Sequence, residues 1–153
     1  MPLHLHLKYR FRALHAKENY YLSSYDGKAV QSSFQQQGQE WILRPSQDGH
    51  GFFVVLAEGN QKKCLSGTQK NKQLLLEDIQ EADNCKWQYF EITHGNSLAV
   101  CLMLNLIVSN KIMCADIKGR SQQEGAPAIL YPVRWTDKSR NNQLWVPTIV
   151  TPA

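Results

Sequence analysis

Short apolar and aromatic runs recur along this chain, and polar clusters interrupt them at close intervals. Residues 9–14 alternate between aromatic or aliphatic and basic positions, while residues 52–56 and 98–104 are nearly continuous in their apolar character. Turn-forming groups, Asp26-Gly27-Lys28, Glu58-Gly59-Asn60 and His94-Gly95-Asn96, stand between the runs. No segment holds the helical period of about 3.6 residues over three turns, so the runs predict strands. Residues 73–83 have the composition of a short helix, but their Leu74-Leu75-Leu76 core fits a buried strand equally well. The chain is expected to be all-β.

The runs are ordered in three copies. Trp41, Trp87 and Trp145 each open a short aromatic-aliphatic run. Upstream of each lies a second shared station: Tyr21-Leu22-Ser23, Cys64-Leu65-Ser66 and Cys114-Ala115-Asp116. Residues 9–14, 52–56 and 98–104 precede that station, and residues 29–30, 74–76 and 128–131 lie between it and the tryptophan. Each copy therefore reads as four short strands, with repeats at approximately 6–46, 50–93 and 97–151 of a single domain, 1–153. A period of about 40–50 residues also suits a propeller or a solenoid. Three copies, each too small to be a stable blade, favour a closed β-trefoil, whose tryptophans fill a shared core and whose closure removes sheet edges.

Composition narrows the function classes. The formal charge of +4 is spread along the chain, without the basic block that dedicated nucleic-acid binding calls for. The longest apolar stretch, residues 98–108, contains Asn105 and is far shorter than the roughly 20 residues of a membrane helix. The N-terminus alternates in polarity and shows no apolar leader core, so the expected location is the cytoplasm, or outside the cell by a leaderless route. Cys64, Cys85, Cys101 and Cys114 form no Cys-x-x-Cys pair and have no histidines at zinc-finger spacing; they are expected to be reduced, buried and metal-free. His4 and His6 read as part of a frayed terminus. No serine elbow, zincin helix or phosphate-cradling glycine loop is present, so neither catalysis nor a cofactor is expected.

The third copy carries the candidate chemistry: Asp116 at a strand end, Ile129-Leu130-Tyr131-Pro132, and Asn142-Gln143 ahead of Trp145. Together with the Gln-x-Trp signature at Gln39-Glu40-Trp41 and Gln143-Leu144-Trp145, these stations resemble the ricin-type (R-type) β-trefoil lectins. The third repeat looks most like the galactose-binding last subdomain of the ricin B-chain. The second copy departs from the signature, with Cys85-Lys86-Trp87.

The resemblance implies a carbohydrate site of Asp116, Ile129, Tyr131, Asn142 and Gln143 for galactose- or GalNAc-containing glycans. A galactose ring offers one apolar C–H face and a rim of hydroxyls. Tyr131 would be the stacking platform, and Asp116 would accept from two adjacent hydroxyls in charge-assisted hydrogen bonds. Asn142 would donate and accept toward the same hydroxyls, Gln143 would hold the carboxylate, and Ile129 would close the wall. Ser23 and Ser66 replace Asp116 in the other copies, and the residues between station and tryptophan lack an aromatic at the place of Tyr131, so one site per chain is expected. A single shallow site binds at about millimolar strength, near −4 kcal/mol, and avidity would come from self-association or a larger complex. Trp135, in a loop longer than that of the ricin repeat, is either a second stacking surface or a loop anchor. The alternative reading is a protein-interaction module, such as a protease inhibitor or a toxin-complex or adhesion component, with a vestigial sugar site.

Overall fold

The computed structural model describes residues 3–135 and 140–150. Among them are twelve strands. The first repeat contains β1 (Lys8–Ala13), β2 (Tyr21–Tyr25), β3 (Lys28–Ser32) and β4 (Trp41–Pro45). The second contains β5 (Phe52–Leu56), β6 (Lys63–Ser66), β7 (Leu75–Asp78) and β8 (Trp87–His94). The third contains β9 (Ser97–Val108), β10 (Lys111–Ile117), β11 (Ala128–Pro132) and β12 (Trp145–Ile149). The ambiguous stretch at residues 73–83 resolves into β7 and the start of a single 3-10 turn, Asp83–Cys85.

Six strands close into a ring: β1 pairs with β4, β4 with β5, β5 with β8, β8 with β9, β9 with β12, and β12 with β1. The remaining strands form three hairpins, β2–β3, β6–β7 and β10–β11, which close one end of the barrel. The hairpins meet one another through the β3–β7 pair Lys28↔Leu75 and the bridges Val30↔Pro127 and Gln73↔Ile129. This is the β-trefoil.

Local patterning explains each role. Tyr9, Phe11 and Ala13 of β1 point inward, while the intervening Arg10 and Arg12 are half-exposed. In β5 both faces are apolar because both are covered: Phe52 and Val54 face the barrel core, and Phe53 and Val55 pack with Cys64 and Cys85 in a separate cluster. All four cysteines are buried and free. Trp41, Trp87 and Trp145 open β4, β8 and β12 with no exposed surface. Their indole N–H groups donate to Leu22 O at 3.0 Å, Leu65 O at 2.9 Å and Ala115 O at 3.4 Å, each on the first strand of a cap hairpin.

The β9–β10 hairpin outruns the expected strand at residues 98–104. Ser109 and Asn110 both take positive φ (53° and 61°), the backbone of a tight primed turn, and β9 continues to Val108. Asn105 breaks the apolar run in sequence, and the β9–β10 register shifts beside it, between the pairs Ile112↔Ile107 and Cys114↔Met103. Past it the cross-strand pair Ile107↔Ile112 carries the hairpin on, and Ile107 remains 67% exposed.

Gly51 is where the second repeat depends on lacking a side chain. Its φ is +85°, and a Cβ there would lie 2.8 Å from the Trp87 carbonyl oxygen, beside the Phe52↔Trp87 barrel pair. Gly59 also has positive φ (+56°) but faces open space. Gly51→Ala is expected to cost about 2 kcal/mol beyond the backbone strain that it shares with Gly59→Ala. Thermal or urea denaturation of the two variants side by side checks the difference.

Candidate carbohydrate site

Five register pairs join β10 to β11, among them Asp116↔Ile129 and Cys114↔Tyr131. Residues two apart on a strand share a face, so Asp116, Ile129 and Tyr131 leave the hairpin on one side. The 3-10 turn Arg140–Gln143 brings the two amides to the same place. Asn142 Nδ2 donates to Asp116 Oδ1 and to Ile117 O, both at 3.0 Å. Gln143 Nε2 donates to Asp116 Oδ2 and to Pro132 O, both at 2.9 Å, while its Oε1 accepts from the Arg134 backbone N–H at 2.9 Å. The residues singled out in the sequence thus converge.

They converge beneath a cover. Asp116 and Asn142 are each 2% exposed, and Gln143 and Ile129 are buried beside them. Arg134 lies on top: its guanidinium carbon is 4.9 Å from the centre of the Tyr131 ring, and its Nη1 is 3.6 Å from Asp116 Oδ2 and 3.2 Å from Asn142 Oδ1. Lys70, from the second repeat, places its Nζ 5.6 Å from the centre of the same ring. The expected arrangement is a carboxylate reached directly from solvent; here a guanidinium fills the space between acid and phenol ring. Arg134 escaped notice because it stands in an irregular loop, where nothing in the pattern says which way a side chain folds. Its one signal is that it is the first cation after Tyr131.

Burial pushes the Asp116 carboxyl up to about 6, against the opposing pull of Gln143, Arg134 and Asn142. Trp135 stacks one face on Phe90, with centroids 5.4 Å apart and planes at 24°, and is still 52% exposed. It therefore anchors the start of its loop, of which residues 136–139 lie outside the described residues. Among the described residues no group of three or more His, Cys, Asp or Glu is placed to hold a metal ion.

The same framework recurs in the first repeat with different chemistry. Gln39 Nε2 donates to Ser23 Oγ at 3.1 Å and to Ser33 O at 2.6 Å, and its Oε1 accepts from Gln35 N at 2.9 Å. Ser23, Val30, Ser32 and Gln35 thereby take the places of Asp116, Ile129, Tyr131 and Arg134. In the second repeat the register puts Ser66, Leu75 and Glu77 at the first three of these places.

No protein-family model matches the chain, and no curated protein matches it. Solved structures do. A designed three-fold symmetric protein, ThreeFoil, superposes with a TM-score of 0.72 at 18% identity, over 94% of this chain and 99% of that one. A mosquitocidal holotoxin gives 0.72 at 12% identity over 97% of this chain, which spans only 18% of the toxin's length. The C-half of the earthworm R-type lectin, in complex with GalNAc, gives 0.59 at 13% identity, over 94% of this chain and 99% of that one. The likeness is one of fold.

The Asp116 shift carries a sign for stability. A carboxyl raised from the ordinary value of about 4 to about 6 binds its proton more tightly when folded, so its contribution is full below pH 4 and is lost as pH rises through 6. Asp116→Asn does not titrate. Relative to the wild type it is expected to gain about 2–3 kcal/mol between pH 4 and 7, measured by urea denaturation at a series of pH values; a constant difference would show that the acid is not perturbed.

Proposed function

We propose that this chain is a carbohydrate-binding protein that takes galactose- and GalNAc-type glycans through its third repeat. The observation that carries the reading is the meeting of one aspartate, two amides that grip it and a tyrosine ring on a single face of the β10–β11 hairpin. Asp116 is the hydrogen-bonding anchor, Tyr131 the platform, Ile129 the wall, and Asn142 and Gln143 fix the carboxylate's orientation. The GalNAc complex of the earthworm neighbour supports this reading by analogy of fold. Binding, without chemical conversion of the sugar, is the whole of the proposed activity.

In this scheme the ligand replaces Arg134. The sugar's C–H face takes over the ring surface that the guanidinium covers, and its hydroxyls donate to Asp116 in place of Nη1. The exchange surrenders a cation–π contact of about 0.5–1 kcal/mol and a charged interaction, which keeps net affinity weak. Arg134 is 28% exposed at its side chain, so it has solvent to swing into.

A second reading, a protein-interaction module such as a toxin component, is favoured by the toxin neighbour and by the projecting β9–β10 hairpin with exposed Ile107. Titration of the protein with galactose, GalNAc and lactose, followed by amide NMR, separates the two. The glycan reading expects signals of Tyr131, Arg134 and Gln143 to move, and Tyr131→Ala to abolish the movement. If those signals stay still at millimolar sugar, the glycan reading is rejected.

Two further outcomes follow from the electrostatics. Affinity is expected to fall as pH drops through about 6, where Asp116 takes up its proton and loses acceptor capacity. At pH 8, where the acid is ionised without help, Arg134→Ala is expected to tighten binding severalfold by baring the ring; calorimetry at both pH values measures each effect.

A further inference from the structure

Beside the first hairpin a cleft of about 610 Å³ opens between loops of two repeats. That size is within the roughly 300–1,000 Å³ of small-ligand pockets. Glu18, Tyr20 and Tyr21 line it from the β1–β2 loop and the start of β2, Phe34 from the chain after β3, and Glu124 from the β10–β11 loop. Neither lysine nor arginine lines it, although the chain as a whole carries a formal charge of +4. Glu124 also stands at the rim of the smaller cavity of the first repeat, about 220 Å³ over Ser23, Val30 and Ser32.

The two acids are held in place from outside the cleft. Gln122 accepts from the Lys17 N–H at 2.8 Å and donates to His15 O at 3.0 Å, which lashes the β1–β2 loop to the β10–β11 loop. Ser33 grips Glu124 through its N–H at 2.8 and 3.2 Å and its hydroxyl at 3.0 Å. These donors are neutral, and among the described residues no cation pairs with Glu124 or with Glu18. A carboxylate has about four lone-pair sites, so Glu124 keeps acceptor capacity for a ligand.

Tyr20 supplies the observation that points to one. It is 9% exposed and its residue belongs to the barrel core. Its hydroxyl has no hydrogen-bond partner among the described residues, and it is not one of the sealed unpaired atoms, which are Arg10 Nε, His15 Nδ1 and Gln31 Oε1. A buried tyrosine thus presents a free polar end to the cleft that it lines. Phe34 is 61% exposed; Arg10 lies 5.0 Å from its ring centre, its charge balanced by Glu40 at 2.9 Å. Among the described residues nothing else stacks on that ring. Arg12, opposite Tyr21 in the register, does not line the cleft.

We infer that this cleft binds an alkylammonium cation, carried by a free aliphatic amine or by a lysine side chain of another molecule. The ammonium sits between Glu18 and Glu124 and donates to the Tyr20 oxygen. Its methylenes lie on Phe34 and Tyr21, as the stem of a long cationic side chain covers apolar surface while the head stays hydrated. An ammonium has three N–H donors to match the three acceptors, so this cation suits the cleft better than a quaternary one, which has none. The inference goes beyond the glycan reading and uses none of its residues.

Amide NMR titration with n-butylammonium, putrescine and Nα-acetyl-lysine methylamide tests it, against sodium chloride at equal ionic strength and against 1-butanol as the uncharged counterpart. The three amines are expected to move the signals of Asn19, Tyr21, Ser33 and Phe34, and the two controls to leave them unmoved. Glu18→Gln and Glu124→Gln, both at exposed positions, are each expected to weaken the response by about threefold to fivefold, as loss of one ion pair does. Tyr20→Phe, which keeps the ring, is expected to weaken it by about threefold. A stronger response to putrescine supports the site with a free amine as ligand, and a stronger response to the acetyl-lysine supports it with a lysine side chain. Equal movement by sodium chloride or by butanol overturns the cation assignment, and unchanged affinity in the two glutamine variants overturns the site. Silence of these signals toward all three amines overturns it too, whatever galactose does at Tyr131.

Discussion

Three indole N–H groups, one in each repeat, tie the barrel to the hairpins that close it, and that bond sets where the residue beside each bonded carbonyl lies. Trp145 reaches Ala115 O, Trp41 reaches Leu22 O and Trp87 reaches Leu65 O. Leu22, Leu65 and Ala115 also bury their side chains in the core, so the next residue along each strand turns its side chain to the opposite face. That residue is Asp116, Ser23 or Ser66. The residue two before the tryptophan is carried to the same spot, which is why Gln143 meets Asp116 and Gln39 meets Ser23. The Gln-x-Trp spacing is therefore a docking geometry: tryptophan binds one station residue and glutamine binds its neighbour.

On this common frame, small changes decide whether a repeat is closed or open. An aspartate at the station is buried and must be satisfied from within, because an unpaired buried carboxylate is far more expensive than a hydrogen-bonded one. Asn142, Gln143 and Arg134 supply that satisfaction, and the arginine in doing so lies across Tyr131. With serine at the station no charge has to be balanced, two hydroxyls and Gln39 satisfy one another, and the surface above them stays clear. The repeat that carries the aspartate is thus the more covered one in this structure.

The twelve strands were legible because three tryptophans and three stations mark the same places in each copy, and the polar clusters between them cannot continue a ladder. The grouping of Asp116, Asn142 and Gln143 was legible too, since it rides on the tryptophan spacing. Arg134 over Tyr131 was not, because loop side chains have no periodicity to reveal their direction. Nor was the cavity of the first repeat: Glu124 at its rim is about a hundred residues from Tyr25 in sequence and is brought there by contacts between the hairpins, among them the Val30–Pro127 bridge and the Gln31–Ala126 and Gly125–Gln31 backbone bonds. Matching residues within each repeat misses a cavity lined by two repeats.

The second repeat shows what the frame does without its glutamine. Cys85 stands in that place, beside Cys64, and lacks the reach and the two amide hydrogens that Gln39 and Gln143 use. The next residue compensates from outside. Lys86, 5% exposed at its side chain, places Nζ 2.6 Å from Asp48 Oδ2 and 3.2 Å from Glu81 Oε2, clamping the approach to Trp87 between two loops. The contact holds Lys86 protonated and Asp48 ionised. At the place of Tyr131 this repeat has Glu77, which offers no ring face to a sugar. Its barrel strand and indole bond are intact, so it serves the fold through the same tryptophan while its surface carries an ion-pair clamp where the other repeats carry an amide network.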